Sequence, residues 1–323
     1  MNIGITGVAG FIGSNLADAL VGKHSVVGVD NLSMGTITNV EHLLDRKDFE
    51  FHQIDVRDAG ALRTALRNVD RIVHLAAFKI PRYGNALETL DVNSLGTRHV
   101  LEISRGSDRR VILASTSDIY GKNPCLPFSE TSDSIMGPTT VGRWAYAVSK
   151  LYDEHLALAY QAAHGVPVTI LRFFGSYGPR HHLSWWGGPQ SVFISAVLRD
   201  EPIEIHGDGQ QTRSFTYITD LVNGIVRAID FDGTPTAIFN LGNTEEVTIL
   251  ELARLVKEAC DTPHELKLNM IPYTTFGGNY EDVRRRIPDI AHAREVLGFE
   301  PKVSLPAGLR PTVAWQRKVL GIG

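Results

Sequence analysis

Glycines at the spacing Gly7-x-x-Gly10-x-x-Gly13 limit what this chain can fold into more than any other feature. They follow an apolar run, Asn2 to Thr6, that reads as a strand, and they open a helical stretch, Phe11 to Val21. A strand that turns straight into a helix needs a positive φ, a close backbone approach and a tight helix–strand contact, and glycine permits all of them. The free N–H groups and the dipole at such a helix start favour negative charge. The alternation then repeats. Ser25 to Asp30, Phe49 to Asp55, Arg71 to Ala76 and Arg110 to Ser115 read as buried strands, with helical stretches around Ala59 to Asn68 and Leu87 to Arg105. Strands and helices alternating at this spacing imply right-handed crossovers and a parallel, doubly wound sheet. The expected class is therefore α/β, of Rossmann type.

The pattern continues through a long helix, Ala145 to His164, and a strand, Val168 to Phe174, and then loosens. Gly175 to Pro189 reads as a loop, Ser191 to Arg199 as a helix, Gly207 to Gly209 as turns, Ala237 to Ala259 as a strand–helix pair and Ala291 to Leu297 as a short helix. A chain of 323 residues exceeds what one core usually serves. The expectation is a Rossmann domain over residues 1–175 and a smaller C-terminal α/β substrate-binding domain over 176–323, with the chain crossing back around 210–245. The formal net charge of −4, with scattered Lys and Arg, argues against nucleic acid or a membrane surface as partner. Cys125 and Cys260 are too few for a disulfide framework or a zinc site and read as free thiols. No apolar run reaches the roughly 18 residues of a membrane span. Met1 leads at once into a strand-like segment, so no signal peptide is expected and a cytoplasmic protein is.

A glycine turn between strand and helix is the setting in which a dinucleotide pyrophosphate binds. Asp30 ends the second strand, where a carboxylate accepts hydrogen bonds from the adenosine ribose and repels a 2′-phosphate, which favours NAD over NADP. Asp55 and Val56 close the third strand, where an acid meets the adenine amino group or serves only as a turn residue. Tyr146 and Lys150 lie at i and i+4, on one face of the long helix. A tyrosine with pKa near 10 is a poor base, and a neighbouring ammonium with a positive nicotinamide lowers it. Ser115 and Thr116 end a strand facing the same cleft.

These residues, in order, resemble the extended short-chain dehydrogenase/reductases of the NAD-dependent epimerase/dehydratase group. The resemblance is carried by Thr6-Gly-x-x-Gly-Phe-Ile-Gly13, His74-Leu-Ala-Ala77, Asn93-x-x-Gly-Thr97, Ser115-Thr-Ser-Asp-Ile-Tyr-Gly121 and Tyr146-x-x-x-Lys150. It continues through Tyr177-Gly-Pro-Arg180, Gly207 to Tyr217 and Arg286-Ile-Pro-Asp-Ile290, over nearly the whole chain. It implies NAD as cofactor, contacted also by Phe11, Ile12, Asn31, Leu75, Ala76, Ala77, Asn93, Ser115 and Phe173. It implies a nucleotide-sugar substrate, most often UDP-linked, oxidised and re-reduced at C4. Tyr146 takes the C4 hydroxyl proton, Lys150 binds the nicotinamide ribose and lowers the tyrosine pKa, and Thr116 supports the proton transfer. Arg213 grips the diphosphate, a bidentate task suited to guanidinium, with Ser176 and Arg180 on the same ligand. A homodimer through the two long helices is also implied.

The choice of sugar chemistry is divided. Arg143 in Arg143-Trp-Ala-Tyr146, the Ser115 to Tyr120 stretch and Arg286 are similar to UDP-glucuronate decarboxylases, and arginines suit a uronate carboxylate; Arg143 as a local cap or ion pair reads equally well. Asp118 stands where those enzymes carry Glu. One methylene less shortens reach by about 1.5 Å, and misplacement on that scale costs on the order of 100-fold in rate. A further departure is Gly175, where the group usually has an Asn on the diphosphate. A UDP-hexose or UDP-hexuronate 4-epimerase is therefore expected narrowly ahead of a decarboxylase or dehydratase, and a silent NAD-binding scaffold is the reading from another class. His181 and His182 diverge as neighbours and no carboxylate or Cys cluster joins them, so no metal is expected. Trp185 and Trp186 either stack on a ligand or cover the cleft, and Lys79 and Arg82 either touch the sugar or lie in a solvated loop.

Overall fold

The computed structural model describes residues 1–79, 85–276 and 282–322; Arg82 lies outside them. The first half runs β1 (Asn2–Thr6), α1 (Phe11–Leu20), β2 (Ser25–Asp30), β3 (Phe49–Gln53), α2 (Ala59–Ala65), β4 (Arg71–His74), α3 (Ala86–Ser104), β5 (Arg110–Thr116), α4 (Trp144–His164) and β6 (Val168–Phe173). The second half adds β7 (Ser176–Tyr177), α5 (Gly188–Leu198), β8 (Ile203–His206), β9 (Thr212–Ser214), β10 (Thr216–Tyr217) and α6 (Ile218–Ile229). It ends with β11 (Thr236–Leu241), β12 (Glu246–Thr248), α7 (Ile249–Cys260), β13 (Leu268–Ile271), α8 (Ala291–Leu297) and α9 (Leu305–Leu320).

Seven strands form one sheet in the order β11-β6-β5-β4-β1-β2-β3, and every pairing in it is parallel. This is the doubly wound arrangement expected from the alternation, and the strand order reverses between β1 and β4. Ligands of such sheets bind beyond the carboxyl ends of the strands at that reversal. The strands are apolar runs because helices cover both faces: Ile3, Ile5, Ile72, Val73, Ile112, Leu113, Ile170 and Leu171 are fully buried. β4 stops at His74, shorter than the run to Ala76, because Leu75 to Ala77 leave the sheet to form a cavity wall.

The sheet does not end with the first half of the chain. β11 pairs β6 over six residues, Thr236 to Leu241 against Val168 to Phe173. Ile218, Leu221 and Ile225 of α6, Ala293 and Leu297 of α8, and Phe299 share an apolar core with Leu16 and Ala17 of α1. A second core joins α5, α7 and α9 through Phe193, Leu252, Val256, Leu309 and Val313. Neither α6 nor α9 is among the expected helices, although Ile218, Leu221, Val222, Ile225 and Ile229 of α6 form one apolar stripe. α6 is rich in β-branched residues, which weaken helix propensity, and its helix is secured by packing on α1. α9 carries Pro306 in its first turn and Pro311 in its interior, the usual sign of a break. α5 begins at Gly188-Pro189, earlier than expected, because proline is tolerated in a first turn.

Beneath the carboxyl ends of β5 and β6 lies a buried ion pair. Arg172 donates to Glu154 from Nη2 at 2.8 Å and from Nε at 3.1 Å. The Ser115 hydroxyl donates to the same carboxylate, and Arg172 Nη1 donates to the Tyr120 hydroxyl at 2.9 Å. Removing one partner strands the other without water. Glu154→Ala is expected to cost about 3–5 kcal/mol, read as a lowered urea midpoint with an unchanged m-value.

Candidate active site

The glycine turn is built by backbone proximity. Gly7 has φ +75°, and a Cβ on it would lie 2.8 Å from the Ala76 nitrogen. A Cβ on Gly13 would lie 2.1 Å from the Gly7 carbonyl oxygen, so α1 starts against the turn with no side chain between. A Cβ on Gly10 would sit 3.2 Å from the same oxygen, and one on Gly35, which the sequence reading did not single out, 2.8 Å from the Ala9 carbonyl carbon. Asp30 fastens this turn: its carboxylate accepts from the Ala9 N–H at 3.0 Å and the Leu32 N–H at 2.8 Å. Burial raises its pKa against the pull of those two N–H groups. Each oxygen keeps a further lone pair for a ligand hydroxyl.

A cavity of about 570 Å³ runs from this turn along α1, lined by Gly7, Gly10, Phe11, Ile12 and Gly13, and also by Leu75, Ala77 and Arg180. Ser115, Tyr146, Lys150, Phe173 and Ser176 close its far end. A smaller recess of about 130 Å³ collects Asp30, Asn31, Val56 and Ala76. A third chamber, about 340 Å³, shares Tyr146, Ser115, Phe173, Ser176 and Lys79 with the large cavity and adds Thr116, Asp118, Arg213 and Arg286. Tyr146 thus stands where the two larger spaces meet.

Several expected ligand contacts are engaged elsewhere. Asp55 is not a lining residue of the recess. Its carboxylate accepts from Arg57 Nε (2.9 Å) and Nη2 (2.7 Å), the Arg57 backbone N–H and Asn31 Nδ2. Those four donors fill its lone pairs, and the Arg57 hydrogen bonds hold its pKa well below the usual carboxylate range. Asn93 is fully buried behind the cavity wall, where its amide accepts from the Phe78 N–H at 2.8 Å and donates to the Ser149 hydroxyl at 2.9 Å. It braces α3 against α4 and the loop after β4. Arg180, at φ +71°, pairs with Asp18 at 2.7 Å, and Lys79 Nζ donates to the Trp186 carbonyl at 3.2 Å.

The chamber wall is a charge network. Arg286 Nη2 lies 2.7 Å and Arg143 Nη2 3.5 Å from Asp118 Oδ1. Arg213 Nη2 donates to Asp282 at 2.7 Å, and Asp282 also accepts from the Tyr273 hydroxyl at 3.0 Å. Asp282 is unmarked in the sequence; it precedes an Arg-rich stretch and acquires its partners only through the fold. Burial alone would raise Asp118, but the guanidinium groups of Arg286 and Arg143 bring its pKa down to about 2.

Tyr146 differs from expectation. Burial and then the Asp118 carboxylate push its phenol above its ordinary value, with the Thr116 hydroxyl opposing. The Lys150 ammonium, expected to lower it, donates instead to Asp153 at 2.9 Å. His181, weighed in the sequence only as a metal ligand, stacks on Phe11 with ring centroids 4.1 Å apart and lines both larger cavities. Trp185 stacks on His206 at 4.9 Å in the chamber. Among the described residues no group of three His, Cys, Asp or Glu side chains is placed to hold a metal ion, and no helix is long and apolar enough to cross a membrane.

A glycine-cradled cavity on a doubly wound sheet, opening past a Tyr/Lys pair into a charged chamber, defines a nucleotide-binding enzyme site of the extended short-chain dehydrogenase type. Residues 5–312 match the family model described as GDP-mannose 4,6 dehydratase, and the chain belongs to that family, within the NAD-dependent epimerase/dehydratase group. It is 35% identical over 319 residues to a UDP-N-acetyl-alpha-D-glucosaminuronate decarboxylase of Bacillus cytotoxicus, covering 98% of this chain and 97% of the relative. UDP-glucuronic acid decarboxylase 1 of Arabidopsis thaliana is 38% identical, over 96% of this chain and 68% of that protein. Among solved structures, the UDP-glucuronic acid 4-epimerase of Bacillus cereus, in complex with UDP-glucuronic acid and NAD, superposes with TM-score 0.88 at 30% identity, over 99% of this chain and 100% of that one.

Asp118 provides a direct check on the network. A carboxylate whose pKa is lower folded than unfolded stabilises the protein above its unfolded pKa, near 3.9, and loses that contribution as pH falls toward 2. Asp118→Asn is expected to be less stable than wild type by roughly 2 kcal/mol at neutral pH, with the gap closing as pH falls from 4 toward the pKa of about 2 in urea titrations.

Proposed function

We propose that the protein binds NAD along the glycine turn and decarboxylates a UDP-linked hexuronate through a 4-keto sugar. The residues fit a dinucleotide: Gly7, Gly10 and Gly13 line the cavity with bare backbone at the start of α1, and Asp30 retains acceptor capacity at the end of β2. Gly7, Gly10, Phe11, Ile12 and Gly13 would hold the pyrophosphate, Asp30 and Asn31 the adenosine ribose, Val56 the adenine, and Lys150 the nicotinamide ribose. Bound there, NAD would accept hydride from the sugar C4 and return it at the end of the cycle.

The observation that carries the choice of substrate is Arg286 paired with an ionised Asp118 in the wall of the chamber that Tyr146 and Thr116 also line; Arg143, expected on the substrate, does not line the chamber and approaches Asp118 from behind it. A neutral C6 hydroxymethyl makes no use of guanidinium groups, whereas a carboxylate does. Tyr146 takes the O4 proton, with Thr116 supporting the transfer. The resulting 4-keto uronate is a β-keto acid. Its C5–C6 bond breaks, CO₂ leaves, and the electron pair passes to O4 as an enolate that the protonated Tyr146 and Thr116 stabilise. A proton then adds at C5. The short arm of Asp118 counts against this only if Asp118 must reach the sugar. Engaged by Arg286, it orients the guanidinium, so the shorter side chain suffices. Relatives described as UDP-uronate decarboxylases support the same order, which reverses the narrow preference drawn from sequence.

The second reading, 4-epimerisation, is favoured by the likeness to UDP-glucuronic acid 4-epimerase. NMR of products from UDP-glucuronate decides between them. A UDP-pentose with CO₂ is expected; a C4-inverted uronate that keeps its carboxyl moves the protein to the epimerases. Tyr146→Phe is expected to lower kcat by about 100-fold or more in either case. The chain also presents Leu87, Leu90 and Leu95 on α3 and Val148 and Tyr152 on α4 to solvent, Leu87 at 65% exposure. These faces suit a homodimer through paired α3 and α4 helices. Light scattering should give twice the chain mass, and the double variant Leu87→Glu/Val148→Glu half of that.

A further inference from the structure

On α4, Tyr146, Lys150 and Asp153 fall at i, i+4 and i+7, one stripe of the helix. Asp153 is fully buried, and its Oδ2 accepts from Lys150 Nζ at 2.9 Å. The Lys150 side chain is itself only 3% exposed. Tyr146 lies about a turn before Lys150 and Asp153 about a turn after it, so the ammonium bonds to the neighbour on the opposite side of it along the stripe from the phenol. A buried carboxylate is costly to keep ionised, and desolvation raises Asp153 against the pull of Lys150. Nothing in the reaction derived above uses this residue.

We propose that Asp153 is a positioning residue that holds the Lys150 ammonium back from Tyr146 and offsets its charge, so that the phenol keeps its proton to higher pH than Lys150 alone would allow. The inference rests on reading Tyr146 as the proton carrier. The other charged or titratable groups facing this stripe come from several elements. Asp118 and Arg286, across the chamber, act on the phenol with opposite sign, and Lys79 and His181 line the same two cavities as Tyr146, the imidazole kept neutral by burial. His74 of β4 faces Lys150, and burial followed by that positive charge holds its pKa to about 3, so it is neutral at working pH. Glu154 of α4 is engaged by Arg172 of β6. α3 presents the uncharged Thr97. Asp153 is thus the carboxylate in direct contact with the ammonium that must act on Tyr146.

The test compares NAD-loaded wild type with Asp153→Asn by two measurements. The first is the pH dependence of kcat/KM. The second is titration of Tyr146 by phenolate absorbance, each protein read against its own Tyr146→Phe counterpart. Both midpoints are expected to fall by about one unit or more in Asp153→Asn, and Asp153→Glu, which keeps the charge, is expected to return the phenol toward its wild-type midpoint. A phenol midpoint that is unchanged or higher in Asp153→Asn overturns the proposal, even if activity falls. Asp153→Ser carries the same comparison if the amide does not fold. The phenol titration needs no turnover, so inactivity of wild type on every UDP-uronate would count against the proposed reaction alone, while the absorbance midpoint still decides the role of Asp153.

Discussion

Everything in this site is referred to one contact: the start of α1 resting on the Gly7 carbonyl with no side chain between them. That approach brings the helix N-terminus, the end of β1 and the Leu75 to Ala77 segment after β4 to a single point, and the strand-order reversal falls there. The dinucleotide cavity is the space left in front of that point. Because α4 packs against α3 and β5 on the same sheet, Tyr146 and Lys150 inherit their place from it. A displacement of α1 by a single methyl group would move the cavity floor relative to the phenol, and chemistry that depends on short transfers is sensitive to such shifts.

A second regularity concerns charge. Around the cavities, most cations are matched by carboxylates of the same chain, Arg286 by Asp118, Arg213 by Asp282, Lys150 by Asp153 and Arg180 by Asp18, while Lys79 is held by the Trp186 carbonyl. An anionic ligand entering the chamber competes with an internal partner for each guanidinium it meets. Such competition weakens binding of any single anion and rewards a ligand that presents several at the right separations, so it acts on selectivity more than on raw affinity.

The parts legible in sequence are those whose determinants are local. The glycine turn, the first six strands and the Tyr146/Lys150 spacing depend on residues within a turn or two of each other, and α8 is found over its full expected range. The parts that were not legible depend on which of several possible partners, near or far in the chain, a side chain takes. Asp55 ends where an adenine contact was expected, yet Arg57 and Asn31 take its oxygens. Asn93 carries a recognised motif and spends its amide on Phe78 and Ser149. Asp282 and Asp153 carry no motif: Asp282 is defined by Arg213, 69 positions away in the chain, and Asp153 by Lys150 three residues before it, a spacing too common on helices to mark a site.

The seventh strand has a further implication. β11, contributed by the second half, covers the outer edge of β6, and α6 and α8 seal the layer behind α1. A polypeptide ending near residue 175 would present a bare sheet margin and an uncovered apolar helix. The two halves therefore share one sheet and one core rather than folding around separate ones. Changes confined to the loops around the chamber leave this interlaced framework in place.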